Sequence, residues 1–353
     1  MNKKWVAMIG ALLISVLVLA ACGAEDTNAP EENAEPQGED QAEQSDGDQA
    51  VAEKSEQIRI GATQIVEHPS LDAAYEGFKD ALASNGFVEG ENVTYDFQNA
   101  QGDQNNANTI ATNFVGNNVD LIFANSTPSA LAALNATKEI PIVFTSVTDA
   151  VGAGLVTSLD EPGENITGVL DLHPEAIEMT VEFIETNFPN ARVGTIYNSG
   201  EQNSVAQIES LEAAIEGADL TLVTRSVSTS AEVQQAATTL VGDIDVFYIV
   251  TDNTVVSAIE TVASVGNDHS IPLIVGEPDS LKRGAFASFG IDYFTIGHRA
   301  GEMAAEILKG DKTNADIPVE IPPNMQLLIN RSSAEAQGVT WNDEWDTSAE
   351  LVE

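Results

Sequence analysis

Short apolar runs alternate with helix-spaced apolar positions through most of the chain. The runs IRIGATQIV (58–66), NVTYDF (92–97), VDLIFA (119–124) and IPIVFTSV (140–147) have the continuity of strands buried on both faces. Between them Leu71, Ala74, Phe78 and Leu82 keep to one helix face, as do Ala107, Ile110, Ala111 and Phe114. After ITGVLDLHP (166–174) the rhythm resumes with ARVGTIYN (191–198), ADLTLVT (218–224), DVFYIVTD (245–252) and IPLIVGE (271–277), and a helix carries Val205, Ile208, Leu211 and Ile215. Such alternation predicts an α/β fold with largely parallel sheets. Its length exceeds what one hydrophobic core comfortably fills and suits two.

The halves correspond. VDLIFANSTPSALAAL (119–134) and IDVFYIVTDNTVVSAI (244–259) both run strand, polar turn, helix, and each is followed by an Ile-Pro strand. The openings GATQIVEHPSLDAAYEGF (61–78) and GTIYNSGEQNSVAQIESL (194–211) share the same plan. In open α/β sheets, ligands bind beyond the carboxyl ends of the strands. Two facing sheets therefore predict a cleft walled by the loops there. That marks Gln64, Glu67, His68, Asn125, Ser126, Thr127, Thr148 and Asp149 from the first half. The second supplies Asn198, Glu201, Asn203, Ser204, Thr251, Asp252, Asn253, Glu277 and Asp279. Singly, several of these read as helix caps or turn formers; their recurrence at successive strand ends is the signal.

Charge narrows the partners. The formal net charge is −42, which repels nucleic acid and anionic lipid headgroups and excludes both as ligands. Abundant Asp and Glu with little lysine also fit a high-salt habitat, where repulsion is screened. Residues 23–57 lack apolar periodicity and hold twelve acidic residues against one lysine, the composition of a solvated tether. Ahead of it, Lys3 and Lys4, an apolar run from Trp5 to Leu19 and the small residues Ala20-Ala21 precede Cys22, the sole cysteine. This order is that of a signal peptide (1–21) ending in a bacterial lipobox, with Cys22 lipidated and starting the mature chain. It predicts an extracytoplasmic protein held on the outer face of the cell membrane by a lipid anchor alone, with no disulfide framework.

Several ordered segments then resemble a known family: GATQIVEHPSLDAAYEGF, NVTYDFQNAQGDQNNANTIA, DLIFANSTPSALAAL, IPIVFTSVTDAVGAGLV, IYNSGEQNSVAQI, VTDNTVVSAI and SFGIDYFTIGHRAGEMAAEILKG. Together they resemble the tryptophan/tyrosine-type substrate-binding lipoproteins of bacterial ABC importers, which have the type I periplasmic-binding-protein fold. The resemblance implies two lobes joined by crossing strands, a hinge, closure around a small solute, and delivery to a permease and its ATPase by a monomer without cofactors. Segment tracing then gives lobe 1 as 58–169 plus 285–313, with a closing helix from Asp292 to Leu308. Lobe 2 is 170–284 plus 314–340, and 341–353 form a C-terminal tail. The crossings fall near Gly168–Asp171, Ala285–Phe289 and Ile317.

After the tether only eleven basic residues remain, mostly outside the strand-end loops. A ligand carboxylate would then rest on helix-start N–H groups and hydroxyls at Ser126 and Thr127 and at Asn203 and Ser204. The ammonium would meet Asp252 or Glu201, with Asp149 and Glu277 behind them. A flat side chain would lie on His68, Pro69, Tyr75 or Tyr293. The expected ligand is a zwitterion, an aromatic amino acid. A sugar-like solute suits the same Asn, Asp and Thr clusters, and a sensory binding protein would use the same fold. For an enzyme, His68 among carboxylates is the only constellation. No nucleophile elbow, phosphate loop or metal-spaced histidine pair accompanies it, so neither catalysis nor a metal is expected.

Overall fold

The computed structural model describes residues 57–323 and 325–353. Signal peptide, Cys22 and nearly all of the tether lie outside the described residues. The first half runs β1 (Ile58–Gln64), α1 (Pro69–Ser84), β2 (Val93–Asn99), α2 (Gln104–Gly116), β3 (Leu121–Asn125), α3 (Thr127–Ala136), β4 (Ile142–Val147) and β5 (Ile166–Leu170). The second runs α4 (Ala176–Asn187), β6 (Arg192–Asn198), α5 (Gln202–Ile215), β7 (Thr221–Val227), α6 (Val233–Leu240), β8 (Val246–Ile249), α7 (Asn253–Val256), α8 (Ile259–His269), β9 (Leu273–Val275) and β10 (Ala287–Gly290). Then come α9 (Tyr293–Leu308), β11 (Gln326–Asn330), α10 (Arg331–Ala336), α11 (Trp345–Ser348) and β12 (Glu350–Val352).

Two sheets result. The first is five-stranded in the order β2-β1-β3-β4-β5, all parallel. The second is seven-stranded, and its β7-β6-β8-β9-β10 portion repeats that order in parallel pairs. β11 then adds antiparallel to β10, and β12 parallel to β11. The repeat seen in the sequence is thus a repeat of topology.

Alternation along each strand divides its side chains between two helical layers. In β3, Leu121 and Phe123 face a core with Phe78 and Leu82 of α1 and Ile296 and Ala300 of α9. Ile122 and Ala124 face the opposite core, with Phe114 of α2 and Ala130 of α3. The second sheet is sandwiched likewise, by Ile184, Leu211 and Trp345 on one face and by Leu240, Ile259 and Val262 on the other. Burial on both faces is why these strands read as continuous apolar runs.

Three segments join the lobes, following β5, β10 and the residues around Val319–Pro323, and the boundaries differ from those expected from the sequence. Residues 287–290 belong to the second lobe, because β10 pairs with β9 at Ala287↔Ile274; the crossing follows Gly290. Residues 314–320 stay with the first lobe, where Asn314 Nδ2 donates to Ile142 O at 2.9 Å, Thr167 Oγ1 donates to Ile317 O at 2.6 Å and Val319 N donates to Leu159 O at 2.8 Å. The last residues are no free tail: Trp345 is buried in the second core and β12 extends its sheet. Among the described residues no helix is long and apolar enough to cross a membrane.

The closing helix α9 lies on α1 at backbone contact. A Cβ on Gly297 would strike the carbonyl of Ala74, one on Gly77 would come within 2.8 Å of His298 N, and one on Gly301 would meet Ala81 Cβ at 2.7 Å. These glycines set how closely two layers of lobe 1 approach. Gly297→Ala gains about 1 kcal/mol of helix propensity, but the backbone obstacle cannot rotate away, and overpacking costs about 1–3 kcal/mol. Urea unfolding of Gly297→Ala should therefore show net destabilisation, whereas Gly116→Ala, with nothing within 4 Å of its new methyl, should be neutral or stabilising.

Candidate ligand-binding cleft

The carboxyl ends of both sheets face one another across a narrow cavity. Its walls are His68, Leu71 and Ser146 from lobe 1, Asn203, Thr251, Asp252, Asn253, Val256 and Glu277 from lobe 2, and Asp171 and Tyr293 from the crossings, around about 270 Å³ of empty space. No lysine or arginine lines the cavity.

Two helices begin at this cavity. α1 follows directly on β1 through the His68-Pro69 turn, with Pro69 preset for a first helical position. Its N-cap residue His68 makes no side-chain capping bond, so the first-turn N–H groups keep their capacity for an incoming acceptor. α5, entered through Glu201, likewise lacks a side-chain cap. Both present the positive end of a helix dipole to the cavity.

The acidic groups differ in how fully they are engaged. Asp252 caps α7, accepting from Val255 N at 2.7 Å and Asn198 N at 2.6 Å, and a bond from Ser204 adds to these. Burial, and then the charge of Glu201, push its carboxyl upward. Glu277 accepts from Ser280 N at 3.2 Å, from the Ser280 hydroxyl, and from Ser70 Oγ at 2.5 Å. Burial raises it to about 7. Asp171 takes hydroxyl bonds from Tyr293 at 2.9 Å and, more loosely, Thr148 at 3.3 Å, and burial raises it to about 6. Burial also holds the His68 imidazole neutral, down at about 3, against the opposing effect of its bond to Asn253. Two cavity-lining polar atoms, His68 Nδ1 and Asn203 Oδ1, are buried without a hydrogen-bond partner, each a cost of about 1–3 kcal/mol unless something fills it.

Of the residues singled out in the sequence, His68, Asn203, Thr251, Asp252, Asn253, Glu277 and Tyr293 line the cavity. Others stand behind them. Glu201 accepts from Asn253 Nδ2 at 2.5 Å and Thr254 Oγ1 at 2.8 Å, so it fixes the α7 turn. Asn198 supports Asp252 and bonds Thr254 at 2.9 Å; Ser204 and Thr148 hold Asp252 and Asp171. Gln64 bonds Asp72 at 2.9 Å and Asn125 at 3.4 Å within lobe 1. Ser126 caps α3 at φ +110° and Thr127 begins that helix, neither on the cavity wall. Asp149 closes a turn on Gly152 N at 2.8 Å. Asp279 lines one other groove, and Glu67 and Tyr75 share another.

Sequence reasoning missed Ser70, Ser146 and the cavity role of Asp171. Asp171 had one signal, a lone acid straight after the strand ITGVL. Ser146 had none, because its left-handed backbone (φ +57°), which carries its hydroxyl to Asn125 Oδ1 at 2.7 Å, is not written in its residue type.

Known proteins of the same kind bear on this geometry. The model of the family described as ABC transporter substrate binding protein matches residues 59–352. A tyrosine-binding protein of Clostridioides difficile (strain R20291) is 42% identical over 337 residues, 95% of this chain and 92% of its own. The crystal structure of an ABC domain in complex with L-Trp from Streptococcus pneumonia superposes with a TM-score of 0.79 at 34% identity, covering 84% of this chain and 100% of that one. The ligand-free, open form of a substrate-binding protein with adhesive properties from Clostridium difficile is more alike in sequence, 40%, yet its TM-score is 0.62 over 84% of this chain and 99% of that one. The lobes here thus stand nearer the arrangement of the L-Trp complex than that of the open form. From the matched family, the sheet topology and the cleft between the lobes, this chain is a member of the ABC transporter substrate-binding proteins, with a type I periplasmic-binding-protein fold.

Proposed function

We propose that the cleft closes on a free aromatic amino acid and presents it to the permease of an ABC importer outside the cytoplasm. The observation that carries this reading is a set of buried polar atoms short of partners, Asp171, His68 Nδ1 and Asn203 Oδ1, in a cavity lined by no lysine or arginine. A ligand ammonium supplies what is missing. Asp171 is its best partner, because Asp252 and Glu277 each accept from the backbone N–H of another residue, while Asp171 has two hydroxyls, one at 3.3 Å, and otherwise only its own backbone N–H. The ligand carboxylate fits the uncapped starts of α1 and α5, in place of Ser126 and Thr127. Leu71, Val256, the neutral His68 ring and Tyr293 offer a surface for an aromatic side chain. A tyrosine-binding relative and an L-Trp-bound one support that class of solute.

Cys22 completes the proposal. Lipidated there, the chain would stay on the outer membrane face, with the acidic tether holding the lobes clear of the lipid. Cys22→Ser should abolish labelling by a fatty-acid precursor and release the protein into the medium; continued labelling would refute the anchor.

Purified protein should bind L-tyrosine or L-tryptophan by calorimetry and melt at higher temperature with either present. Asp171→Asn should weaken binding by about 1.5–3 kcal/mol, the worth of a hydrogen bond to a charged group, while leaving the fold intact. Failure of every aromatic amino acid to raise the melting temperature would remove the solute class.

Binding should also depend on pH with a defined sign. Asp171 at about 6 and Glu277 at about 7 lie above their ordinary values, so the ligand-free protein holds more protons than the unfolded chain between these limits and loses stability as pH rises through them. His68, lowered to about 3, opposes this, because stability is lost as pH falls below its ordinary value of 6.5. An ammonium on Asp171 stabilises the ionised carboxylate, so affinity should rise by up to about tenfold per pH unit below pH ~6 and level off above it. Calorimetry across that range should show the slope in the wild type and its loss in Asp171→Asn.

A further inference from the structure

A direct bond spans the cleft without involving any ligand. Ser70, at the start of α1 in lobe 1, donates its hydroxyl to Glu277 Oε2 of lobe 2 at 2.5 Å, and both side chains are buried. Each partner is rigidly mounted. Ser70 sits on a helix of 16 residues clamped to α9 by the glycine seam. Glu277 caps the 3-10 turn Pro278–Arg283, whose last residue forks onto Glu260 with both bonds at 2.7 Å and reaches Val256 O at 2.8 Å, tying the turn to α7 and α8. With Ser280 already donating twice, Glu277 has its acceptor sites engaged by the protein, unlike Asp171.

We propose that Ser70 and Glu277 are a positioning pair, an interlobe latch that sets how much of the ligand-free protein is closed and how fast a bound ligand leaves, without touching the ligand. Because both partners are rigid and buried, the bond forms only when the lobes are already in register, so it acts on opening more than on encounter. For ligand release the inference rests on the cleft being the solute site; for ligand-free closure it does not.

The test uses the full folded chain in wild-type form and as Ser70→Ala, Glu277→Ala, Glu277→Gln and the Ser70→Ala/Glu277→Ala double variant, with folding checked by thermal melts. Small-angle scattering of the ligand-free proteins should show Ser70→Ala and Glu277→Ala more extended than wild type, and Glu277→Gln, which keeps an acceptor for Ser70, close to wild type. With L-tyrosine and L-tryptophan as probes, dissociation should quicken about tenfold in each alanine variant, with association nearly unchanged. The double variant should be no worse than the more affected single one, since one bond is lost in each case. Wild-type compactness of ligand-free Ser70→Ala, or losses that add in the double variant, would overturn the latch. Should neither amino acid bind, scattering alone still decides the latch, while the solute reading fails separately.

Discussion

Burying several carboxyl groups in one small space without a counter-cation is the constraint that shapes the centre of this protein. Each acid must be met by donors, and the chain supplies them from different sources. Asp252 draws on backbone N–H groups, Glu277 on a serine of its own turn and one from the opposite lobe, and Asp171 on a tyrosine and a threonine hydroxyl. Helix starts add positive potential from both sides. What stays unmatched is an excess of acceptors, and that remainder defines the chemistry of an occupant more sharply than the size of the cavity does.

The hinge and the cavity are built from the same stretches of chain. Asp171 opens the first crossing and Tyr293 ends the second, and their hydrogen bond ties the two crossings together beside the cavity. Consecutive residues also face different ways: Glu277 lines the cleft while Pro278 lines a groove on another face, and Tyr293 and Asp292 divide likewise. Bending at the crossings therefore changes cavity geometry directly, with no intervening element to carry the motion.

Most of the architecture was legible because parallel strands buried on both faces leave unbroken apolar runs, and amphipathic helices leave their spacing. β1 to β9 all overlap the runs read from the sequence, with β2, β3 and β7 extending one to three residues beyond them, and α9 covers Tyr293–Leu308 against an expected Asp292–Leu308, Asp292 being its cap. The sequence marks β10 only as a crossing near Ala285–Phe289 and does not mark β11 and β12 as strands; these segments are short, and their strand character comes from the neighbours they pair with. For the site, the strand-end rule located the region but could not order residues by depth. Glu201 and Asp252 are adjacent acids by type, yet one is consumed by Asn253 and Thr254 while the other reaches the wall. Ser70 illustrates the opposite failure, since a serine beside a proline at a helix start gives no hint of an acceptor 207 positions away.

The glycine seam between α1 and α9 also governs the order in which the molecule can be completed. The first sheet ends at Leu170, but α9, which shares one of its faces with α1, begins only at Tyr293. As the chain emerges amino end first during synthesis, lobe 1 has all its strands long before that layer is complete, and the face shared by α1 and α9 has only α1 on it until most of lobe 2 has followed. Neither lobe is a segment that finishes alone: the first awaits α9, and the second awaits β11. The two assemble as one interleaved event late in the emergence of the chain, with the many distant contacts that make folding slow.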